Sequence, residues 1–345
     1  SRATFKYKGL IPAALIMNEP EIKNFIKVPC ESCGNERFVT VCDRKDGFVI
    51  SRCEECRLEF VNPLPTIEFL NQLFNKEMTG IGYHGSYFEE YFKERSRRGK
   101  SYGKIYQSRL NLIEQFAGGK GTLLDIGCAA GFFLQYAVKQ GWQGHGIDIL
   151  PDWIPLAMEN LNLKNVQCSA LEDVRFANET FDVVTLWDLI EHLRHPMDCL
   201  RRINQLMKVG GHLAIWTPNV RNAVLLTDQW TGYWPRQHLY FFSLESLTAL
   251  LQKAGFKTVF SKTNKSKKGL LIRQNSLTFQ KTIKPEEKLE RLIFSIKRDF
   301  KNTINPLTYL GPLLDQIGYG FNLFVIASKV ENLKLESHKT ISPNS

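Results

Sequence analysis

Short apolar runs alternate with stretches of helical periodicity through the middle of the chain. The clearest case lies between Thr122 and Ile149. There an apolar run predicts a strand, glycines predict a tight turn, apolar residues three and four positions apart predict a helix, and a second strand ends at Asp148. This order of elements is one β-α-β unit, the building block of a parallel sheet.

The same patterns continue beyond this unit. They predict further strands that end near Ser169, Trp187 and Asn219. Helices are predicted before and between the strands, among them one at 151–161 and one that begins after Ser243 and stops at Gly255. Strands that alternate with helices predict an α/β fold with a largely parallel sheet.

The glycine turn restricts the kind of nucleotide that the unit can bind. A dinucleotide fingerprint needs glycine at three fixed positions, with alanine allowed at the third, and this chain has Asp125, Gly127 and Ala130 there. A carboxylate at the first position would face the diphosphate of a dinucleotide, so it favours a ligand with positive charge and no phosphate. S-adenosylmethionine, with its ammonium and sulfonium groups, is such a ligand, and Asp148 is placed to accept hydrogen bonds from its ribose.

Through the segments D-I-G-C-A-A-G and G-I-D-I, the chain resembles the class I S-adenosylmethionine-dependent methyltransferases. The resemblance implies a Rossmann-like seven-stranded sheet with helices on both faces, in which a last strand at 321–330 lies antiparallel between the fifth and sixth strands. The acid that the family usually places after the third strand is Ala170 in this chain, so Leu171, Glu172 or Asp173 is expected to serve the adenine. The S-adenosylmethionine contacts that we predict are Asp125, Gly127, Cys128, Gly131, Asp148, Ile149, Leu171, Glu172, Trp187 and Asp188.

Two pairs of cysteines precede the sheet. Cys30 and Cys33 are followed, after nineteen residues, by Cys53 and Cys56, which gives the spacing C-x2-C…C-x2-C. Four thiolates with this spacing close a tetrahedral zinc site that has no open coordination position, and Gly34 permits the sharp turn of the first pair. We therefore predict a zinc ribbon whose folding is driven by structural Zn²⁺, in preference to disulfides, which are rare in cytosolic proteins.

The candidate groups on the acceptor side are less specific. Asp188, Glu191 and His192 are spaced i, i+3 and i+4, which would place them on one face of a helix. The run resembles the E-x-x-E-H segment of quinone-type O-methyltransferases, in which such groups hold a divalent metal, yet similar runs occur in methyltransferases without one. His192 is thus open to three interpretations: metal ligand, general base or structural residue.

His238 is our preferred general base. It opens the run H-L-Y-F-F-S, which resembles the helix start of a subgroup of class I methyltransferases, many of them with the same N-terminal zinc ribbon. The alternative is that this histidine only binds the backbone of its own loop.

Composition places the chain among ordinary globular proteins, because 43% of its 345 residues are hydrophobic and 23% are charged. No apolar run approaches the roughly 18 residues that a membrane span needs. The apolar stretch from Leu10 to Met17 is too short for a signal peptide and is interrupted by Pro12. We therefore expect a cytoplasmic protein.

Positive charge is concentrated towards the C-terminus. Between Lys262 and Lys301 lie twelve Lys or Arg and four Asp or Glu, a net charge of +8 against +10 for the whole chain. Within this segment, residues 285–301 carry an apolar face at helical spacing. Such a basic amphipathic helix suits either peripheral contact with an anionic membrane or a cap over a substrate cleft, and we prefer the cap.

These features predict a methyltransferase that uses S-adenosylmethionine and structural Zn²⁺. The expected acceptor is a small molecule, a sugar or a glycolipid, methylated on oxygen or carbon. An RNA methyltransferase is the alternative, because zinc modules and basic segments also bind nucleic acid, and a scaffold without catalysis is the third interpretation.

The predicted boundaries are an extension at 1–28, a zinc ribbon at 29–62, a helical and aromatic lid at 63–118, a catalytic domain that binds S-adenosylmethionine at 119–262, a basic insertion or cap at 263–320, the last strand at 321–330 and a disordered tail at 331–345.

Overall fold

The structure, a computed structural model, describes residues 24–43, 47–70, 72, 86–225, 230, 232–264 and 311–330. The predicted helix at 285–301, the tail, and most of the extension and of the basic insertion lie outside these ranges. The strands are β1 (Phe25–Ile26), β2 (Phe38–Asp43), β3 (Val49–Cys53), β4 (Glu59–Val61), β5 (Leu64–Pro65), β6 (Thr122–Ile126), β7 (Gln143–Asp148), β8 (Val166–Cys168), β9 (Phe181–Trp187), β10 (Met207–Pro218), β11 (Tyr240–Phe241), β12 (Phe256–Asn264) and β13 (Asn322–Lys329). The α-helices are α1 (Ser86–Arg97), α2 (Gly99–Ala117), α3 (Phe132–Lys139), α4 (Trp153–Pro155), α5 (Pro196–Leu206), α6 (Leu244–Lys253) and α7 (Gly311–Gln316).

The apolar runs form one seven-stranded sheet in the order β12-β13-β10-β9-β6-β7-β8. The strands from β6 to β10 run parallel, and β13 is antiparallel to both β10 and β12. The predicted Rossmann-like sheet is confirmed, including its antiparallel last strand. Because the parallel strands all end at the same edge, this carboxyl edge is where a ligand is expected in an open α/β sheet.

Helices cover both faces of the sheet, as predicted. On one face, α2 and α3 pack through apolar side chains such as Leu110 and Leu134. On the other, α5 and α6 pack through residues that include Leu200 and Leu247. Each of these leucines is fully buried, and burial of one leucine contributes about 1.5–3 kcal/mol of hydrophobic free energy.

One predicted helix is found in the structure as expected, whereas another is shorter and irregular. The one after Ser243 is α6: the Ser243 hydroxyl accepts from the Ser246 amide at 3.2 Å, the Ser246 hydroxyl accepts from the Ser243 amide at 3.0 Å, and Gly255 follows the helix with φ +78°. The one predicted at 151–161 is only the three residues of α4 followed by a π-helical turn, Leu156–Asn160. Pro155 explains the difference, because it has no amide hydrogen to donate within a regular helix.

The predicted zinc ribbon contains a strand from far along the chain. Its four-stranded sheet has the order β11-β4-β3-β2, and Tyr240 of β11 pairs with Phe60 of β4. Its buried side chains, such as Phe48 and Ile50, belong to the same apolar core as α5 and α6. The ribbon is therefore packed onto one face of the central sheet, and its strand β11 was not predicted.

Candidate active site

The turn between β6 and α3 lies at the carboxyl edge and depends on two glycines. The amide of Gly127 donates to the carbonyl of Ile147 at 2.8 Å, which ties the turn to β7. Both Gly127 and Gly131 have positive φ, +71° and +77°, a region that other residues rarely adopt. A methyl group on Gly131 would also come within 2.4 Å of Leu163. The backbone of Cys128 shapes this turn while its thiol is buried, and burial raises the pKa of that thiol.

Asp148 closes the turn from the neighbouring strand. One carboxylate oxygen accepts from the Ala129 amide at 2.9 Å and the other from the Leu150 amide at 2.9 Å. Burial raises the pKa of Asp148, although these backbone hydrogen bonds oppose the shift. Each oxygen keeps a further lone pair for a ligand hydroxyl.

The side chain of Asp125 is buried and is not exposed at the surface of the glycine turn. It is 2% exposed, and its carboxylate accepts a hydrogen bond of 2.6 Å from the Thr185 hydroxyl. Burial raises the pKa of Asp125 to about 7. Asp125, the residue whose charge favoured S-adenosylmethionine in the sequence, thus lies beneath the turn and is hydrogen-bonded to a neighbouring strand of the sheet.

Arg109, on α2, is a site residue that the sequence interpretation missed. Its guanidinium lies 4.3 Å from the centroid of the Trp187 ring and 4.7 Å from that of Trp216. Burial lowers the pKa of Arg109, while the charges of Asp188 and Asp125 oppose the shift. The available signal was an arginine directly beside the apolar Leu110 in an amphipathic helix.

Two hydrogen-bond donors at this position have no partner among the described residues. They are Nε of Arg109 and the indole Nε1 of Trp187, and both atoms are buried. Buried donors without a partner are rare in folded proteins. Because one of these two donors belongs to a cationic guanidinium, the pair fits the carboxylate of an amino-acid ligand such as S-adenosylmethionine.

The next part of the edge is apolar and open. Ile149, directly after Asp148, is 69% exposed, which is unusual for a large aliphatic side chain next to a buried strand. Leu171 is buried and Glu172 is exposed in the turn after β8. The predicted contacts Ile149, Leu171 and Glu172 therefore follow neighbouring strands, where an aromatic base can pack against the aliphatic side chain.

The aromatic segment predicted as a lid packs beside the glycine turn. Tyr91, on α1, lies 5.0 Å from the ring of Trp153, and Phe92 lies 5.0 Å from the ring of Phe132. Arg95 is held between Tyr91 and Tyr102, with its guanidinium carbon 4.7 and 4.1 Å from their ring centroids. The part of this segment before residue 86 lies outside the described residues.

The chain after β9 does not form the predicted helical face. Asp188 is exposed with φ +52°, and only Ile190–His192 form a single 3-10 turn. The expectation that Asp188, Glu191 and His192 share one face is wrong, because the left-handed residue Asp188 turns the chain sharply before the helical turn begins. Trp187 remains at the end of β9, as predicted.

His192 and His238 lie side by side, with ring centroids 4.8 Å apart. Nδ1 of His192 lies 2.8 Å from the Gln237 carbonyl, and Nδ1 of His238 lies 3.1 Å from the Gly232 carbonyl. Because a carbonyl oxygen only accepts, each Nδ1 carries the proton and each Nε2 keeps its lone pair. Burial lowers the pKa of His192, and burial together with the charge of His192 lowers the pKa of His238 to about 3.

Glu191 completes this cluster. It is 1% exposed, one carboxylate oxygen accepts from the Thr217 hydroxyl at 2.9 Å, and Oε1 is buried without a partner among the described residues. Burial, followed by the charge of Asp188, raises the pKa of Glu191 to about 8. The ligand atoms of Glu191, His192 and His238 lie within 4.8 Å of one another, so a metal at this position would involve His238 and not Asp188.

The four ribbon cysteines form a second cluster. Sγ of Cys30 lies 3.4 Å from Sγ of Cys56, and Sγ of Cys33 lies 3.5 Å from Sγ of Cys53. These distances exceed a disulfide bond of about 2.05 Å and approach the roughly 3.8 Å edge of a sulfur tetrahedron around zinc. Gly34 follows the first pair with φ +76°, as predicted, so the donor set and its geometry fit a structural zinc ion.

Residues 94–260 match the family model described as a methyltransferase domain, which is just under half of the chain. This match agrees with the predicted resemblance to a methyltransferase family. The matched range contains the glycine turn, Arg109 and both histidines, whereas the ribbon cysteines lie outside it. Among the described residues, none of the helices combines the length and apolar character needed to cross a bilayer.

The chain is also similar to individual proteins. The ubiquinone biosynthesis O-methyltransferase of Aliivibrio fischeri (strain MJ11) is 31% identical over 125 residues, which cover 34% of this chain and 53% of that protein. The protein of the same description from Serratia proteamaculans (strain 568) is 30% identical over 123 residues, 34% of this chain and 51% of its own. The chain thus spans about half the length of the curated relatives it matches. A crystal structure of a SAM dependent methyltransferase from Archaeoglobus fulgidus gives a TM-score of 0.44 at 22% identity and covers 66% of this chain and 94% of that one.

Proposed function

We propose that the protein transfers a methyl group from S-adenosylmethionine to a hydroxyl group of a small molecule. The observation that carries this proposal is that a glycine turn and a pair of neutral histidines lie at one edge of the sheet. The turn follows β6, and the pair is anchored after β9 and before β11. The name of the Aliivibrio and Serratia relatives supports oxygen as the methylated atom. A sugar or glycolipid hydroxyl meets the same chemical requirement.

The donor is expected to bind along β6 and β7. Asp148 would accept hydrogen bonds from the ribose hydroxyls, and Ile149 would pack against the adenine. Arg109 and Trp187 would donate to the carboxylate, which would satisfy their two buried nitrogen atoms. The backbone of Gly127 and Gly131 allows the ligand to approach the sheet closely.

The chemistry requires alignment and one proton transfer. When bound, S-adenosylmethionine supplies a methyl group on a sulfonium, and its sulfur departs as a neutral thioether. The residues around the acceptor hold its oxygen in line with that bond, which lowers the entropic part of the barrier. Nε2 of His238 or His192 accepts the proton that the hydroxyl loses, since both atoms keep a lone pair at neutral pH. Structural Zn²⁺ in the ribbon takes no part in this step.

Two measurements test the proposal. Calorimetry with S-adenosylmethionine tests the donor site, and failure to bind would reject the proposal outright. Labelled S-adenosylmethionine is then supplied with separate panels of catechols, sugars, glycolipids and total RNA. Label on a small-molecule or glycolipid hydroxyl is the expected result, whereas salt-dependent labelling of RNA alone would replace the acceptor by nucleic acid.

A further inference from the structure

The zinc ribbon and the acceptor side share one loop. Residues 232–239 precede β11, and β11 is the fourth strand of the ribbon sheet. The amide of Leu239 donates to the Glu191 carbonyl at 2.7 Å, and the carbonyl of Leu239 accepts from the Val61 amide at 2.9 Å. One residue of this loop therefore connects the ribbon strand β4 with the turn that holds Glu191 and His192.

A buried carboxylate on the ribbon holds the same loop through a side chain. Glu59, in β4, is 4% exposed. One of its oxygens binds Nε of Arg52 at 2.7 Å, and the other accepts a hydrogen bond of 2.6 Å from the hydroxyl of Tyr233. Arg52 directly precedes Cys53, a member of the cysteine cluster. A continuous chain of bonds thus leads from the edge of the cysteine cluster to the loop.

Tyr233 fixes the part of the loop that orients His238. Its ring packs edge-on against Trp230 and Phe241, with centroids 5.1 Å away in each case. The neighbouring residue, Gly232, supplies the carbonyl that accepts the Nδ1 proton of His238. A methyl group on Gly232 would come within 2.2 Å of the Trp230 ring, so a larger residue at this position would require the ring to shift. The position of the Tyr233 hydroxyl therefore sets the position of the carbonyl that orients the imidazole.

We propose that Glu59 is a positioning residue: through Tyr233 it holds the loop that orients His238, so the zinc ribbon shapes the acceptor side of the active site. The kinetic consequence rests on the proposed function, whereas the effect on the loop does not. Donor binding along β6 and β7 is independent of this chain of bonds.

The test uses Tyr233→Phe and Glu59→Gln in the full chain, with Tyr240→Phe as the matched control. Tyr240 also lies at the ribbon boundary and is buried, but its hydroxyl donates to the Arg194 carbonyl at 3.3 Å and does not contact Glu59. Hydrogen–deuterium exchange of the amides at 232–239 is measured together with zinc content and S-adenosylmethionine affinity. Loss of a hydrogen bond to a buried carboxylate should accelerate exchange in this loop by about tenfold or more in both test variants, and not in the control.

The remaining readouts separate positioning from a general structural role. We expect zinc content and donor affinity to stay within about twofold of wild type, while turnover falls about tenfold with little change in the KM for S-adenosylmethionine. Removal of zinc by a chelator should accelerate exchange in the same loop. Unchanged exchange at 232–239 in both folded test variants would overturn the proposal. A protein that fails to bind S-adenosylmethionine but shows the exchange result would instead reject the proposed function and leave the role of Glu59 intact.

Discussion

The proposed donor half and the proposed acceptor half of the sheet edge are assembled differently. The donor turn, from Thr122 to Ile149, lies within one continuous β-α-β unit and is set by backbone geometry, and Arg109 and Trp187 join it from α2 and β9. The acceptor side combines Glu59, Glu191 and His238, which belong to the ribbon, to the turn after β9 and to the loop before β11. Changes far along the chain can therefore alter the acceptor side, whereas the donor turn depends mainly on its own residues.

The largest predicted effect comes from disrupting the ribbon, which should abolish the function of the acceptor half and spare the donor half. Cys53→Ser removes one of the four predicted zinc ligands, and because zinc drives the folding of such small modules, we expect loss of bound zinc and of ribbon order. Turnover should disappear while S-adenosylmethionine still binds within about threefold of its wild-type affinity, because the donor turn is local. Zinc content and calorimetry check this. The control is Cys42→Ser, in the same ribbon but outside the cluster, which should keep its zinc. If Cys53→Ser lost S-adenosylmethionine binding as completely as turnover, the two halves would not be independent.

The next largest effect tests the acceptor side directly. His238→Ala removes an imidazole beside the expected hydroxyl, and loss of a general base lowers turnover by about 10²- to 10⁴-fold. Donor affinity should stay unchanged in calorimetry. His195, which is exposed and pairs with Glu31 at 2.8 Å, provides the control His195→Ala with near wild-type turnover.

His192→Ala is the companion of this experiment. A loss similar to that of His238→Ala would mean that the pair acts together. A loss confined to one variant would assign the proton transfer to that imidazole, and no loss in either would remove the base from the mechanism.

A smaller effect tests the donor side. Asp148→Ala removes the proposed acceptor for the ribose hydroxyls and two hydrogen bonds within the turn, and hydrogen bonds to a charged group contribute about 1.5–3 kcal/mol. We expect S-adenosylmethionine affinity to fall about 10- to 100-fold without unfolding, as measured by calorimetry and thermal melting. Asp152→Ala, an exposed acid in the same segment, should leave the affinity unchanged. If acceptor KM changes and donor affinity does not, the two halves have been assigned the wrong way round.

The sequence was most informative where a local pattern determines the structure. Gly127, Gly131 and Asp148 could be placed because a β-α-β turn has fixed spacing, and the cysteine pairs because a metal requires fixed spacing. Asp125 was recognised as unusual, but whether it lies above or beneath the turn depends on the packing of Thr185, which belongs to another strand.

The acceptor side could be predicted only as a set of candidates. His192 and His238 were both named, yet their contact depends on how the ribbon and β11 fold together. The helical spacing of Asp188 to His192 gave a wrong geometry, because propensity did not reveal the positive φ of Asp188. Arg109 was missed because one cation in an amphipathic helix resembles a solvent-exposed residue until the fold places it between two tryptophans.

Arg109 offers a sharper test of the donor half. Arg109→Lys keeps the charge but loses the planar fork that binds a carboxylate through two hydrogen bonds. We expect S-adenosylmethionine affinity to fall about tenfold by calorimetry, with a smaller loss for an analogue that lacks the carboxylate. Lys104→Ala, an exposed cation on the same helix, is the control. Equal losses for both ligands would indicate that Arg109 supports packing of Trp187 and Trp216 rather than donor binding.

The smallest predicted effect concerns Asp125, which belongs to the donor half but is as deeply buried as Glu191. Its pKa is raised to about 7, whereas an unfolded aspartate has a pKa of about 3.9, so the folded state binds an additional proton between these values. The free energy of unfolding therefore falls as pH rises from about 4 to about 7. Asp125→Asn keeps an acceptor for the Thr185 hydroxyl and does not titrate, so its Tm should fall by about 2–4 °C less than that of wild type between about pH 5 and pH 8. Identical pH dependence in the two proteins would mean that Asp125 is ionised throughout, as a direct contact to a cationic ligand requires.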